Sequence, residues 1–325
     1  MKTSAMVISA LALSVTALAA QAQDYPTRAI SMVVPFAAGG PTDIVARSMA
    51  ESMGRAMGGA KIVVENVAGA GGTIAPTRVA RAKPDGYTIL IHHIGMSTAP
   101  TLYRKLPYNP VKDFEHIGLI NEVAMTLLVK NAMPVKNIGE FLPYLKANAS
   151  KITMANAGIG AASHLCGLLF MSALGTDLVT APYKGTGPAL ADLMGGQVDL
   201  LCDQTTSTVP AIKAGKVRAL AVTSPQRLGV LPDLPTLDEV GLKGFNVSIW
   251  HGFYAPKGTP KVALDKLEAA LKAALKDPAI VKRFADLGTE PVAPDKASPA
   301  GLRAKLTSEI QRWEPLIKKA GTFAD

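Results

Sequence analysis

Residues 31–43 read SMVVPFAAGGPTD. An apolar run over 30–35 gives way to Gly39-Gly40 and then to Pro41-Thr42-Asp43. The pattern predicts a buried strand, a glycine-rich turn and a helix start, with Pro41 near the first helical position and Thr42 or Asp43 as cap. Amides without helical partners, beside the positive end of a helix dipole, make such a turn a place for an anion. Phe36 reads either as core or as an apolar lid over a bound carbon chain. Asp43 reads first as a partner of its own helix end.

Three more turns share this design. Residues 65–73 (ENVAGAGGT), 156–164 (NAGIGAASH) and 182–188 (PYKGTGP) each separate a strand candidate from a helix candidate. Glycine allows positive φ and close approach of a ligand to the backbone. Gly158, Gly160 and Ser163 mimic a dinucleotide fingerprint, but its third glycine is missing, and so is an acidic residue after the next strand. No stretch reads GxxxxGK followed by Ser or Thr, and none reads GxSxG. Nucleoside triphosphates and the serine-hydrolase elbow are thereby disfavoured. Ser163 and His164 are adjacent, and neighbours on a helix do not face each other, so they make a poor catalytic pair. His92 and His93 end a strand and point to opposite faces. We assign His92 to the cleft. Lys184 is either an ordinary exposed lysine or a carboxylate contact.

Strands over 30–35, 61–65 and 87–92, then 125–130, 152–156, 178–182, 198–202 and 217–223, alternate with amphipathic helices. That alternation signals parallel or mixed sheets covered by helices, an α/β class. The C-terminal part differs. A helix from Thr259-Pro260 to about 276 and another over 298–319 have no strands of their own, so they must pack on a lobe already built. The chain then crosses between two lobes twice, near 120–123 and 249–252, which makes a hinge with a cleft where ligands bind. The boundaries expected are 23–122 with 252–325 for lobe one and 123–251 for lobe two.

At the N-terminus, Lys2, an apolar run over 7–20 and Ala20-Gln21-Ala22 read as a secretory signal peptide over 1–22. The run is too short for a spanning helix, which needs ~20 apolar residues. Losing Lys2 takes the formal charge from +9 to +8. The basic residues are scattered without interleaved aromatics, which favours a solvated surface over nucleic acid. Export permits a disulfide between the two cysteines, Cys166 and Cys202, with two buried free thiols as the alternative. The histidines lack partners at ligand spacing, so neither a metal nor a cofactor is expected.

Over nearly its whole mature length the chain resembles the periplasmic solute-binding proteins of tripartite tricarboxylate transporters, the Bug (Bordetella uptake gene) family. The stretches that carry the likeness are Tyr25-Pro26-Thr27-Arg28, PFAAGGPTDIVAR (35–47), VVENVAGAGGTIA (63–75), KPDGYTIL (83–90), GIGAASHL (158–165), APYKGTGPALADLMGGQVDL (181–200), KVRALAVTS (216–224) and APKGTP (255–260). The resemblance implies a type II periplasmic binding fold that closes over a carboxylate held by main-chain groups and ordered waters. By position it implicates Phe36, Ala38, Gly40, Thr42 and Asp43 in lobe one. In lobe two it implicates Gly158, Gly160, Ser163, Tyr183, Lys184, Gly185 and Thr186. Asp203 either bonds an amino or hydroxyl group of the ligand or caps a turn. Ala161 and Ala162 replace small hydroxylated residues of the commonest pattern, Ile91-His92-His93 replaces a small uncharged stretch, and the cysteine pair is not general to the family.

The function expected is that of a periplasmic receptor, a monomer, that passes a small carboxylate to membrane transporter subunits. An exported enzyme on an anionic substrate is the rival, and it lacks a nucleophile–base pair or opposed carboxylates at recognisable spacing. A ligand-sensing subunit of a signalling system needs the same cleft.

Overall fold

The computed structural model describes residues 25–320, so the segment read as a signal peptide lies outside them. β1 (Ile30–Val34) runs parallel to β2 (Ile62–Asn66) on one side and to β3 (Thr88–His93) on the other. Its central place explains its apolar sequence: a parallel strand covered on both faces reads as a hydrophobic run rather than an alternation. α1 (Pro41–Ala56) follows β1 and turns Val45, Ala46, Met49 and Met53 inward.

Two long strands carry the chain between the lobes. β4 (Phe114–Val129) pairs antiparallel with β9 (Ser248–Pro256) as far as Ala124. From Met125 it pairs instead with β7 (Leu200–Gln204) and β8 (Arg218–Val222). β9 also pairs with β3, closing the lobe-one sheet in the order β2-β1-β3-β9-β4. In lobe two the order is β4-β7-β5-β6, with β5 (Thr153–Asn156) and β6 (Val179–Pro182) parallel to each other. Thr223 ties the two crossings: its hydroxyl accepts from the Met125 amide at 2.9 Å and donates to the Val247 carbonyl at 2.7 Å.

Between these strands lie α2 (Ile74–Ala80), α3 (Gly95–Leu102), α4 (Ile138–Asn148), α5 (Ala162–Leu174), α6 (Thr186–Met194) and α7 (Thr205–Lys213). After β9 come α8 (Lys261–Ala274), α9 (Pro278–Asp286), the short strand β10 (Thr289–Pro291) and α10 (Pro299–Ala320). α8 packs on α1 and β4, and α10 on α3 and β4, so the C-terminal helices cover lobe one. The start of α8 lies one residue later than expected: Pro260, in an extended conformation, is the cap. The Thr259 hydroxyl turns back to donate to the Pro256 carbonyl at 2.7 Å.

One apolar core runs through both lobes along the crossing strands, from Leu90 and Trp250 to Met125, Leu200 and Cys202. A disulfide joins Cys166 on α5 to Cys202 on β7, with Cα atoms 6.1 Å apart. It fixes the helix that follows the third glycine turn to the strand that carries Asp203. Among the described residues no helix is long and apolar enough to cross a membrane.

Candidate ligand-binding site

The space between the lobes has two parts. The outer part is a chamber of about 870 Å³ lined by the second turn (Gly69 to Thr73), Tyr103 and Lys105 of lobe one, and by Gly158, Ile159, Tyr183 and Lys184 of lobe two. Its volume suits a small molecule. The inner part is a recess of about 10 Å³ that shares Phe36 and Ala157 with the chamber. Its other walls are Pro41, Thr42, His93, Ala161, Ala162, Ser163, Thr186, Asp203 and Gln204.

Four helices begin at the recess. α1 reaches it through Pro41 and Thr42, α5 through Ala162 and Ser163, α6 through Thr186, and α7 through its N-cap Gln204. Each brings the positive end of its dipole, which together favour negative charge nearby. Three of these starts follow the turns read from the sequence. The fourth follows β7 directly and has no glycine. The second turn lines only the outer chamber.

Asp43 does not line either space. Its carboxylate accepts from the Gly39 amide, Arg47 Nε and Asn66 Nδ2, each at 2.9 Å. Asn66 Nδ2 also donates to the Phe36 carbonyl at 2.9 Å. Burial pushes the Asp43 pKa up, but the hydrogen bonds from Arg47, Gly39 and Asn66 outweigh it and hold the group below its usual range. Asp43 is therefore the brace of the first turn. Asp203 is buried, and among the described residues no cation pairs with it. It accepts from the Thr186 hydroxyl at 2.6 Å and the Gln204 amide at 2.7 Å. Desolvation dominates there and raises its pKa to about 6, against the lowering effect of those two bonds.

Of the two adjacent histidines, His93 lines the recess and stacks on Phe36 with ring centroids 4.8 Å apart. His92 instead contacts the Gly72 carbonyl through Nε2 at 3.1 Å. Burial lowers the pKa of His92 to about 4 and that of His93 well below the usual value. Behind Thr42, His251 holds a place that no local sequence signal marks: its Nε2 lies 3.3 Å from the Thr42 hydroxyl and its Nδ1 2.9 Å from Asn121 Oδ1.

Several amides expected to face an anion are spent inside the protein. The Ala157 amide donates to Ser163 Oγ at 2.7 Å, Gly158 to Asn156 Oδ1 at 3.0 Å and Gly160 to His164 Nδ1 at 3.2 Å. Ser163 and His164 each serve their own turn and do not form a pair. The Tyr183 hydroxyl donates to Asp192 at 2.6 Å within lobe two.

Glycines also let the lobes meet. The Ala37 amide donates across the cleft to the Lys184 carbonyl at 3.2 Å. A Cβ on Gly185 would come within 2.9 Å of the Ala37 nitrogen, and one on Gly187 within 2.7 Å of the Ala38 carbonyl. Gly40 faces Thr186. On the far side of the chamber, Gly71 (φ +59) abuts the Ile159 carbonyl so closely that a Cβ has no room. Tyr103 reaches the carbonyls of Ala70 (2.9 Å) and Ile159 (2.8 Å), one in each lobe, and Gly160 packs on its ring.

Residues 45–322 match the profile described as the tripartite tricarboxylate transporter family receptor. The fold superposes on the periplasmic binding protein BugD with a TM-score of 0.90 at 56% identity, over 92% of this chain and 99% of that one. MatC from Rhodopseudomonas palustris, solved with bound malate, matches with a TM-score of 0.87 at 42% identity, over 90% of this chain and 100% of that one. An R. palustris protein solved with adipate matches with a TM-score of 0.87 at 33% identity, over 91% and 98%.

Proposed function

The chain belongs to the tripartite tricarboxylate transporter receptor family, and from that premise we propose that it captures a small carboxylate, a dicarboxylate or an aromatic carboxylate, between its two lobes. It works in the periplasm and hands the ligand to the membrane subunits of a tripartite system. The observation that carries the reading is the convergence of four helix N-termini on one recess at the floor of a chamber between the lobes. Lys105 and Lys184, from opposite lobes, add positive charge at the chamber wall. Malate and adipate in two homologues support the ligand class.

Binding and closure are linked. The lobes meet through the hydrogen bonds Ala37 to Lys184 and Tyr103 to Ile159, through Phe36 packed on Ala157 and Ala161, and through close backbone approach at Gly71, Gly185 and Gly187. A ligand that touches both lobes shifts the balance between open and closed forms by its differential affinity for the closed form. The closed form is the shape that the membrane subunits recognise.

Isothermal calorimetry against dicarboxylates, aromatic carboxylates and acidic amino acids tests the reading. Saturable one-to-one binding to a member of one class is expected. Failure of every class to bind would refute it.

A further inference from the structure

The recess is shared unevenly between the lobes. Lobe one brings the start of α1, while lobe two brings the starts of α5, α6 and α7. Most of the positive dipole ends that favour an anion there therefore belong to lobe two.

These three helix starts are fastened to one another inside lobe two. Cys166 lies three residues beyond Ser163 on α5, one turn along the same face. Its disulfide to the equally buried Cys202 joins that helix to β7, immediately before Asp203 and Gln204. Asp203 accepts from the Thr186 hydroxyl at 2.6 Å, which ties the start of α6 to the end of β7. Ser163 Oγ accepts from the Ala157 amide at 2.7 Å and closes the third turn on α5. Behind them, the Thr126 hydroxyl of β4 donates to the Asp203 carbonyl at 3.2 Å and lies 2.8 Å from that of Thr208 on α7. All of these ties run within lobe two, so they survive when the lobes part.

The wall from lobe one is built the other way. Phe36 stacks on His93, but its apolar cluster is completed by Ala157 and Ala161 of lobe two, which leave it 5% exposed. The partner of the Ala37 amide is the Lys184 carbonyl, also of lobe two. Separation strips the cover from Phe36 and returns that amide to water, so this wall is finished only in the closed form.

We propose that lobe two is the docking half of the site: a carboxylate settles first on its helix N-termini, held ready by the Cys166–Cys202 disulfide, and lobe one then closes over it through Phe36 and α1. This rests on the carboxylate-capture reading and adds to it the order of events and the covalent element that positions the docking half. The physical reason is preorganisation. Dipole ends already fixed in place need little further ordering when the anion arrives, whereas a wall that still lacks its packing must be ordered at the same moment.

Calorimetry of the mature chain against succinate, malate, aspartate, adipate and benzoate identifies the probe. If none of the five binds, capture is refuted, and this proposal with it. The tightest of the five is then titrated by NMR into isotope-labelled Gly71→Ala, whose added methyl against the Ile159 carbonyl hinders closure. Weaker but saturable binding is expected, with amide shifts concentrated at Ser163, Thr186 and Gln204 and little change at Gly40 and Thr42. Shifts led by Gly40 and Thr42, shifts of equal size in both lobes, or complete loss of binding would each overturn the docking order and leave capture standing. Stopped flow with the same probe gives a second arm. Replacing both cysteines by Ala is expected to slow association about threefold or more, as the share of chains with a formed docking half falls. The comparison is made at a temperature where circular dichroism shows the variant folded. Phe36→Ala is expected to leave association near the wild-type rate and to speed dissociation. Unchanged association without the disulfide would overturn its positioning role. Slowed association in Phe36→Ala would overturn the docking order, and that variant decides the matter should the cysteine variant fail to fold.

Discussion

Asp43 and Asp203 are both buried carboxylates beside the cleft, one in each lobe, and their surroundings set them to opposite tasks. Asp43 has a guanidinium, an amide and a carboxamide pointed at it, and it holds the first turn in shape. Asp203 accepts from one hydroxyl and one amide, has no cation beside it among the described residues, and lines the recess. The lesson is that burial of an acid says little until its partners are counted. A saturated carboxylate is architecture, and an under-supplied one is free to meet a ligand.

The largest effect that would sharpen this contrast concerns the covalent support of Asp203. Replacing Cys166 and Cys202 by Ser opens a 36-residue separation, and the loop-entropy model predicts a loss of about 4 kcal/mol in a urea denaturation. Asp43→Ala should cost about 2–3 kcal/mol in the same assay and weaken ligand binding as well, because the first turn loses hydrogen bonds to a charged acceptor. Asp203→Asn should act through pH. The raised pKa of Asp203, about 6, means that the folded protein holds this proton more tightly than the unfolded chain. The wild type therefore gains stability as pH falls from 7 through 6 towards 4, by an amount of order 2–3 kcal/mol from this group. In Asp203→Asn that gain should vanish. Asp43 has the opposite sign: its contribution is present above the ordinary carboxylate range and is lost as pH falls through its lowered pKa. If both variants changed the pH profile alike, the contrast would fail.

Smaller effects test closure. Gly71→Ala puts a methyl against the Ile159 carbonyl of the other lobe. It should weaken ligand binding about tenfold or more, about 1.4 kcal/mol, with thermal stability of the free protein lowered by only about 1 kcal/mol for the left-handed backbone. Tyr103→Phe removes one hydroxyl between the lobes and should cost about 1 kcal/mol of binding, seen as a faster off-rate in stopped flow.

Much of the fold was legible because its units are local. A strand, a glycine turn and a helix such as 30–57 announce themselves in period and turn chemistry. β4 did not, because a strand that changes partners between Ala124 and Met125 carries no mark at the change. Only its second half read as a strand. At the site, glycine marked Gly158, Gly160 and Gly185, while the junction of β7 and α7 went unmarked because Gln204 leads straight from extended backbone into the helix. Asp203 is legible in the sequence, whereas Gln204 is not. A Thr-rich run, Thr205-Thr206-Ser207-Thr208, directly after an apolar strand is the signal that points to it. His251 and Asn121 are 130 residues apart, and nothing local joins them. The two roles of glycine were also indistinguishable in sequence: Gly71 meets the other lobe, a function visible only once Ile159 is placed opposite it.

The most direct measurement of the central claim is small-angle X-ray scattering of the mature chain with and without the carboxylate that calorimetry shows to bind. Capture between two hinged lobes predicts a smaller radius of gyration on saturation, and no such decrease for Gly71→Ala. A ligand that saturates the wild type while leaving its scattering unchanged would contradict the account.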